Sequence, residues 1–198
     1  MFVQVIEGNV SDVAAFQERN DEWTRDLKPI TVGYLGATGG VTDDGRFFIA
    51  ARFESAEAAA ANNDIPGQSE WWEKTAALVS DVSFANCPDV DVFFEGGSDS
   101  AGFVQVIKGT ADRAVLSARM PELEGAIHQM RPDVIGGYAA WPGDGTFIQV
   151  VYFTSEGDAR AAESAEPSPE EAATRDELFS LMTDTSYIDL HQPWFDTK

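Results

Sequence analysis

Phe2-Val3-Gln4-Val5-Ile6-Glu7-Gly8 recurs as Phe103-Val104-Gln105-Val106-Ile107-Lys108-Gly109, identical at six of seven positions. A repeat of this kind constrains the fold more than any other feature, because whatever unit one copy forms must be formed twice. The correspondence runs on. Pro29 with Ile30 to Gly36 aligns with Pro132 and Asp133 to Ala139 at an offset of 103. Asp44-Gly45-Arg46-Phe47 aligns with Asp144-Gly145-Thr146-Phe147, and Phe53-Glu54-Ser55 with Phe153-Thr154-Ser155, at an offset of 100. Ser83-Phe84 answers Ser186-Tyr187 near the ends. The change of offset places a three-residue difference in the hairpin, Gly36 to Val41 against Ala139 to Pro142, where insertions cost least. Residues 1–95 form the first repeat, the Gly, Ser and Asp rich stretch 96–102 a linker, and residues 103–198 the second repeat.

Within each copy the apolar spacing reads β-α-β-β-α-β. Residues 2–7 alternate as a strand, and a helix follows from Ser11 as N-cap with the stripe Val13, Phe16, Trp23 and Leu27. Pro29 ends it. Strands over 30–36 and 46–53 flank a Gly/Asp hairpin signal. A helix in two pieces, 55–63 and 69–79, is broken at Pro66-Gly67, and a short strand lies near 82–85. The second copy places Leu116, Met120, Leu123, Ile127 and Met130 on its first helix, with Pro121 marking a kink or a start. This order is the ferredoxin-like split βαβ arrangement. Strand residues are apolar on both faces, with Phe47, Ile49, Ala51 and Phe53 on one and Phe48 and Ala50 on the other. A sheet apolar on both faces needs a second layer beyond its own helices. The expected fold is therefore α+β: two tandem ferredoxin-like repeats whose antiparallel sheets pack face to face as an intrachain dimeric α+β barrel.

The hairpin followed by Phe53-Glu54-Ser55-Ala56-Glu57-Ala58, and the Trp-bearing helix after the break from Pro66 to Trp72, resemble the dimeric α+β barrel superfamily. Within it the chain looks most like the antibiotic-biosynthesis-monooxygenase-like branch. The resemblance covers the layout of both halves and implies a small-molecule enzyme or carrier. Haem-degrading relatives also place Asn and Trp in the pocket, but they use a ligating His, and the first repeat has none.

Charge narrows the partners. Residues 1–100 carry 18 acids and 6 bases, and the remainder 16 and 7, so neither half hides a basic face. Nucleic acid and anionic membrane are disfavoured as partners. No apolar run reaches the roughly 18 residues of a membrane span. Cys87 has no second cysteine to pair with, and His128 and His191 lack a further ligand at metal spacing. Neither a nucleophile elbow nor a phosphate loop is found, and Gly36-Ala37-Thr38-Gly39-Gly40 joins two strands. These features predict a cytoplasmic monomer with an internal pseudo-twofold, open to further oligomerisation, without metal or cofactor, and with a small molecule as the candidate partner.

Candidate site residues come from the differences between copies. Asn20 stands on an apolar stripe where the 103 offset puts Leu123, and Trp71 and Trp72 face Thr174 and Arg175. Asn20, Trp23, Trp71 and Trp72 are thus expected to line a pocket between helices and sheet, or, alternatively, to be edge and core residues. Gln4 and Gln105 sit mid-strand and need hydrogen-bond partners. Arg52, opposite Tyr152 of the other copy, either holds an anion or pairs with a carboxylate such as Glu7. Two functions follow. One is a soluble intracellular barrel protein that holds a small apolar or aromatic molecule between helices and sheet. The alternative is a cofactor-independent monooxygenase acting on a phenolic or quinol-like substrate, with Asn20 and Gln4 steadying an oxyanion. An interaction module with an acidic surface is a third, weaker reading.

Overall fold

Alternating apolar residues carry the first strand, β1 (Phe2–Val10), past the predicted end to a bulge between Glu7 and Asn9. The computed structural model describes residues 1–197. Asp12, not Ser11, caps α1 (Val13–Asp26), accepting from the Ala15 amide, while the Ser11 hydroxyl donates to the Leu78 carbonyl. Residues 30–33 are not strand. Pro29 fits a 3-10 turn over Lys28–Ile30, the Thr31 hydroxyl donates to the Lys28 carbonyl, and Gly33 takes a positive φ. The hairpin strands β2 (Tyr34–Val41) and β3 (Arg46–Phe53) follow. Next come α2 (Ala56–Asn62), capped by Ser55, α3 (Gln68–Ala76), and β4 (Val79–Cys87), longer than the periodicity implied.

Pro88 separates β4 from a strand that the periodicity did not reveal, β5 (Asp89–Phe93). The second copy then gives β6 (Phe103–Thr110), α4 (Arg113–Met130), β7 (Val134–Trp141), β8 (Thr146–Phe153), α5 (Glu156–Ser164), α6 (Pro169–Ser180) and β9 (Thr183–Leu190). Pro121 neither starts nor interrupts α4, which runs through it. A last strand, β10 (Trp194–Thr197), was also not foreseen.

Two compact units result, one of residues 1–89 with 193–197 and the other of residues 90–192. Each holds a five-stranded sheet, in the orders β10-β2-β3-β1-β4 and β5-β7-β8-β6-β9. The ferredoxin-like four strands of each unit are thus extended at the hairpin edge by a strand from the other sequence repeat. β10 pairs antiparallel with β2, Trp194 opposite Gly39 and Asp196 opposite Ala37. Both faces of each sheet are buried: Phe2, Tyr34 and Phe53 beneath the helices, and Val3, Phe48 and Ala50, fully covered, on the other side. Among the described residues no helix is long and apolar enough to cross a membrane.

The repeats align differently from the sequence reading. Asp12 and Asp112 cap equivalent helices, Phe16 and Leu116 are buried at matching positions four residues on, and Arg19–Glu22 and Arg119–Glu122 form the same ion pair. Tyr34 pairs with Phe53 as Val134 does with Phe153. The offset is therefore 100 from the first helix through the hairpin, and the three-residue difference falls between the two pieces of the second helix. Prolines 29 and 132 misled because each marks a helix end without being structurally equivalent. Asn20 corresponds to Met120 and Trp23 to Leu123.

The added strands seat aromatic rings on glycines. A Cβ at Gly39 would lie 2.2 Å from the Trp194 ring, and one at Gly137 2.2 Å from the Phe93 ring and 2.9 Å from the Val150 carbonyl. Gly137→Ala should therefore cost about 1–3 kcal/mol by overpacking in urea denaturation. Gly125→Ala, in α4 with nothing within 4 Å of its Cβ, should instead stabilise by about 0.5–1 kcal/mol. Equal effects at the two sites would refute this account of β5.

Candidate ligand cavity

Aromatic side chains fill the space between helices and sheet in the first unit. The Trp23 indole N–H donates to the Gln68 amide oxygen at 3.0 Å, and its ring meets Tyr34 edge-on at 5.1 Å. The Trp71 N–H donates to the Arg19 carbonyl at 2.6 Å, tying α3 to α1, and Trp72 lies between Trp71 and Phe84. The equivalent positions in the second unit are Leu123, Val134, Thr174 and Arg175. Four ring-bearing positions of the first unit thus carry non-aromatic side chains in the second, which leaves less ring volume between its helices and sheet.

A cavity of about 800 Å³ opens there. Met120, Ile127 and Met130 of α4 and Leu178 and Phe179 of α6 wall it, over a floor of Ile107, Val134, Val151 and Phe153. Phe93 of β5 closes one side and continues into a second chamber of about 420 Å³. Phe93, Met120, Gln149, Leu178 and Met182 line both. Volumes of this size suit small organic ligands.

Most polar groups on the cavity are engaged. Gln105 donates to the Asp189 carboxylate at 2.9 Å, and that carboxylate also takes the Arg160 guanidinium. Arg160 further pairs with Glu163 and Glu156 and lies 5.1 Å from the Phe103 ring. The Glu163 hydrogen bond, with Asp189, holds its guanidinium above the ordinary arginine range against the effect of burial. Arg131 forks onto the buried Asp133 and lies 5.4 Å from the Phe153 ring. Gln149 differs. It replaces Ile49 of the first repeat, faces both chambers, and its amide has no partner among the described residues. An amide placed against an apolar cavity is available to a ligand hydroxyl or carbonyl.

The smaller chamber is built on Asp91 of β5. Its carboxylate accepts the Arg113 guanidinium at 3.0 Å, the Ser117 hydroxyl at 2.7 Å and the Trp141 N–H at 2.9 Å. Burial alone would raise its pKa, but the Arg113 and Ser117 hydrogen bonds, the Arg113 charge and the Trp141 N–H together bring it below the usual aspartate value. Beyond β5 the chain turns through positive φ at Phe94 and Glu95, held where the Phe94 amide donates to Glu124 at 2.8 Å.

Of the eight residues singled out from the sequence, only Gln105 lines this cavity. Trp23 and Trp71 tie α1 to α3 in the first unit, with Trp72 beside Trp71, and the Asn20 Nδ2 on α1 is buried and unpartnered among the described residues. Gln4 donates to Asn86 at 3.1 Å, the counterpart of Gln105 on Asp189. Arg52 and Tyr152 stand on the sheet faces away from the helices. Tyr152 is fully buried, 6.3 Å from the Tyr138 ring. Arg52 does not reach Glu7: the register sets it beside Val3 with Glu7 four residues on, roughly 13 Å along the strand. Its Nε is buried without a partner among the described residues. His128 stacks on Phe94 at 5.5 Å, and His191 pairs with Glu156 at 2.7 Å. Sequence reasoning missed Gln149, whose signal was a lone amide in Phe147-Ile148-Gln149-Val150-Val151, and missed all of β5.

A carboxylate with a lowered folded pKa stabilises above its unfolded value, about 3.9, and that contribution is lost as pH falls through the folded value. Asp91→Asn should therefore cost about 1–2 kcal/mol at pH 7, the one-third exposure of the side chain limiting the effect. The gap should narrow below about pH 4. A constant gap down to acid unfolding would rule out the ionised carboxylate as the clamp.

No family profile and no curated protein sequence matches the chain. Solved structures do. A candidate monooxygenase from Lactobacillus acidophilus NCFM superposes with a TM-score of 0.73 at 10% identity, over 98% of this chain and 95% of its own. Another, from Fusobacterium nucleatum subsp. nucleatum, gives 0.76 at 8% identity, over 100% and 94%. An anthrone oxidase-like protein gives 0.61 at 9% identity, over 99% and 89%. Across its whole length the chain shares the fold of these structures, two tandem ferredoxin-like α+β units, as the sequence order implied.

Proposed function

We propose that the protein binds a small aromatic or apolar molecule bearing a hydroxyl or carbonyl group in the large chamber of the second unit. One observation carries this reading: where the first unit sets Trp23, Trp71 and Tyr34, the second has smaller side chains, about 800 Å³ of open volume, and the unpartnered amide of Gln149 facing it. Apolar volume favours the body of the ligand, and the amide orients its polar edge. Arg131 and Arg160 are matched by Asp133, Asp189 and Glu163, so no free positive charge invites an anion.

Binding is preferred to oxygenation of a phenolic substrate, because Asp189, the floor carboxylate, is held by Gln105 and Arg160 and is poorly placed to act as a base. The acidic surface and the single buried cysteine fit a cytoplasmic binding protein with no nucleic-acid or membrane partner.

The neutral fluorescent probe N-phenyl-1-naphthylamine should bind one to one, and Val134→Phe, which places a ring in the chamber, should weaken it by about tenfold, roughly 1.4 kcal/mol. Gln149→Ile, imitating the first repeat, should weaken 1-naphthol about three- to tenfold through a lost hydrogen bond while leaving naphthalene unchanged. Tight probe binding that ignores both substitutions would place the ligand elsewhere.

A further inference from the structure

We propose that the smaller chamber is a subsite for an organic cation, an ammonium group carried on the ligand of the large chamber. This deepens the reading above and rests on it. Three observations converge. First, the chamber of about 420 Å³ is lined by two carboxylates, Asp91 and Glu124, and by no lysine, arginine or histidine. Secondly, the two carboxylates are not equivalent. Asp91 is neutralised by Arg113, whereas Glu124 accepts only the Phe94 amide and has no cationic partner among the described residues. One negative charge on the chamber is therefore uncompensated. Thirdly, the rings of Phe93, Trp141 and Phe147 complete the wall, Trp141 and Phe147 with centroids 5.8 Å apart.

Aromatic rings beside a carboxylate form the environment that attracts an alkylammonium group, since ring quadrupole and charge act with the same sign. An anion would meet Glu124, and a strongly hydrated metal ion would find apolar walls in place of a full oxygen shell. The shared lining of Phe93, Met120, Gln149, Leu178 and Met182 lets one molecule occupy both chambers, its aromatic body in the larger and its ammonium end in the smaller. The Met120 and Met182 side chains at this junction can adapt to the width of the linking group.

The test uses phenyltrimethylammonium and its uncharged isostere tert-butylbenzene, titrated into the full-length protein and followed by NMR. The cation should bind at least about fivefold more tightly, and Glu124→Gln, which keeps an acceptor for the Phe94 amide, should erase that preference. N-phenyl-1-naphthylamine binding should stay within about twofold in the same variant, which also shows that the fold is intact. Equal affinity for the two probes, or a cation preference that survives Glu124→Gln, would overturn the subsite. If the cation fails while N-phenyl-1-naphthylamine binds, the subsite is refuted and the large chamber stands. If neither binds, the reading of the large chamber falls with it.

Discussion

Each sheet is completed by a strand that the other sequence repeat supplies, and each such strand is held by one aspartate. Asp196 of β10 takes the Lys28 ammonium and, at 3.0 Å, the Tyr34 hydroxyl. Asp91 of β5 takes Arg113, Ser117 and Trp141. In both cases a carboxylate is satisfied by a cation together with a neutral donor, which is what makes a partly buried charge tolerable. The Tyr34 phenol is pushed well above its ordinary range by burial and by Asp196, so it stays a hydrogen-bond donor at any physiological pH. Alongside the clamps, Trp194 over Gly39 and Phe93 over Gly137 fix the approach of the added strands. The cavity depends on this arrangement, because β5 contributes Phe93 to both chambers and Asp91 to the smaller one.

Duplication also lets one copy keep the fold while the other changes. The first unit invests its indoles in packing: Trp23 and Trp71 each satisfy their N–H on a neighbouring helix and fill the space above the sheet. The second replaces them with Leu123 and Thr174 and lines the opening with Met120, Met130 and Met182. Thioether side chains suit a surface that accommodates guests of differing shape.

The arginines at the large chamber are all matched by carboxylates, and Glu166 adds an acidic group at its edge. Arg131, Arg160 and Arg175 lie on its rim and each is paired with a carboxylate, so the field inside is set by local geometry more than by net charge. In the smaller chamber Glu124, a carboxylate without a cationic partner among the described residues, stands with aromatic rings and gives that end a distinct preference.

The sequence alone determined the repeat, the βαββαβ order of each copy and the two-sided burial of the sheets. These rest on local periodicity and on identities between Phe2–Gly8 and Phe103–Gly109 that no tertiary contact alters. It also located the informative region, the positions at which the two copies differ, and left open whether the tryptophans there line a pocket or fill the core. The tertiary structure decided the rest. The helices align by their caps and ion pairs, not by their terminal prolines, so Asn20 answers Met120 and Trp23 answers Leu123. β5 and β10 are short segments without a strong periodic signal, and they become strands only because a hairpin edge with glycines at Gly39 and Gly137 receives them. Whether a large side chain lines a pocket or fills it depends on the volume around it, and that volume is a property of the assembled layers, not of the residue.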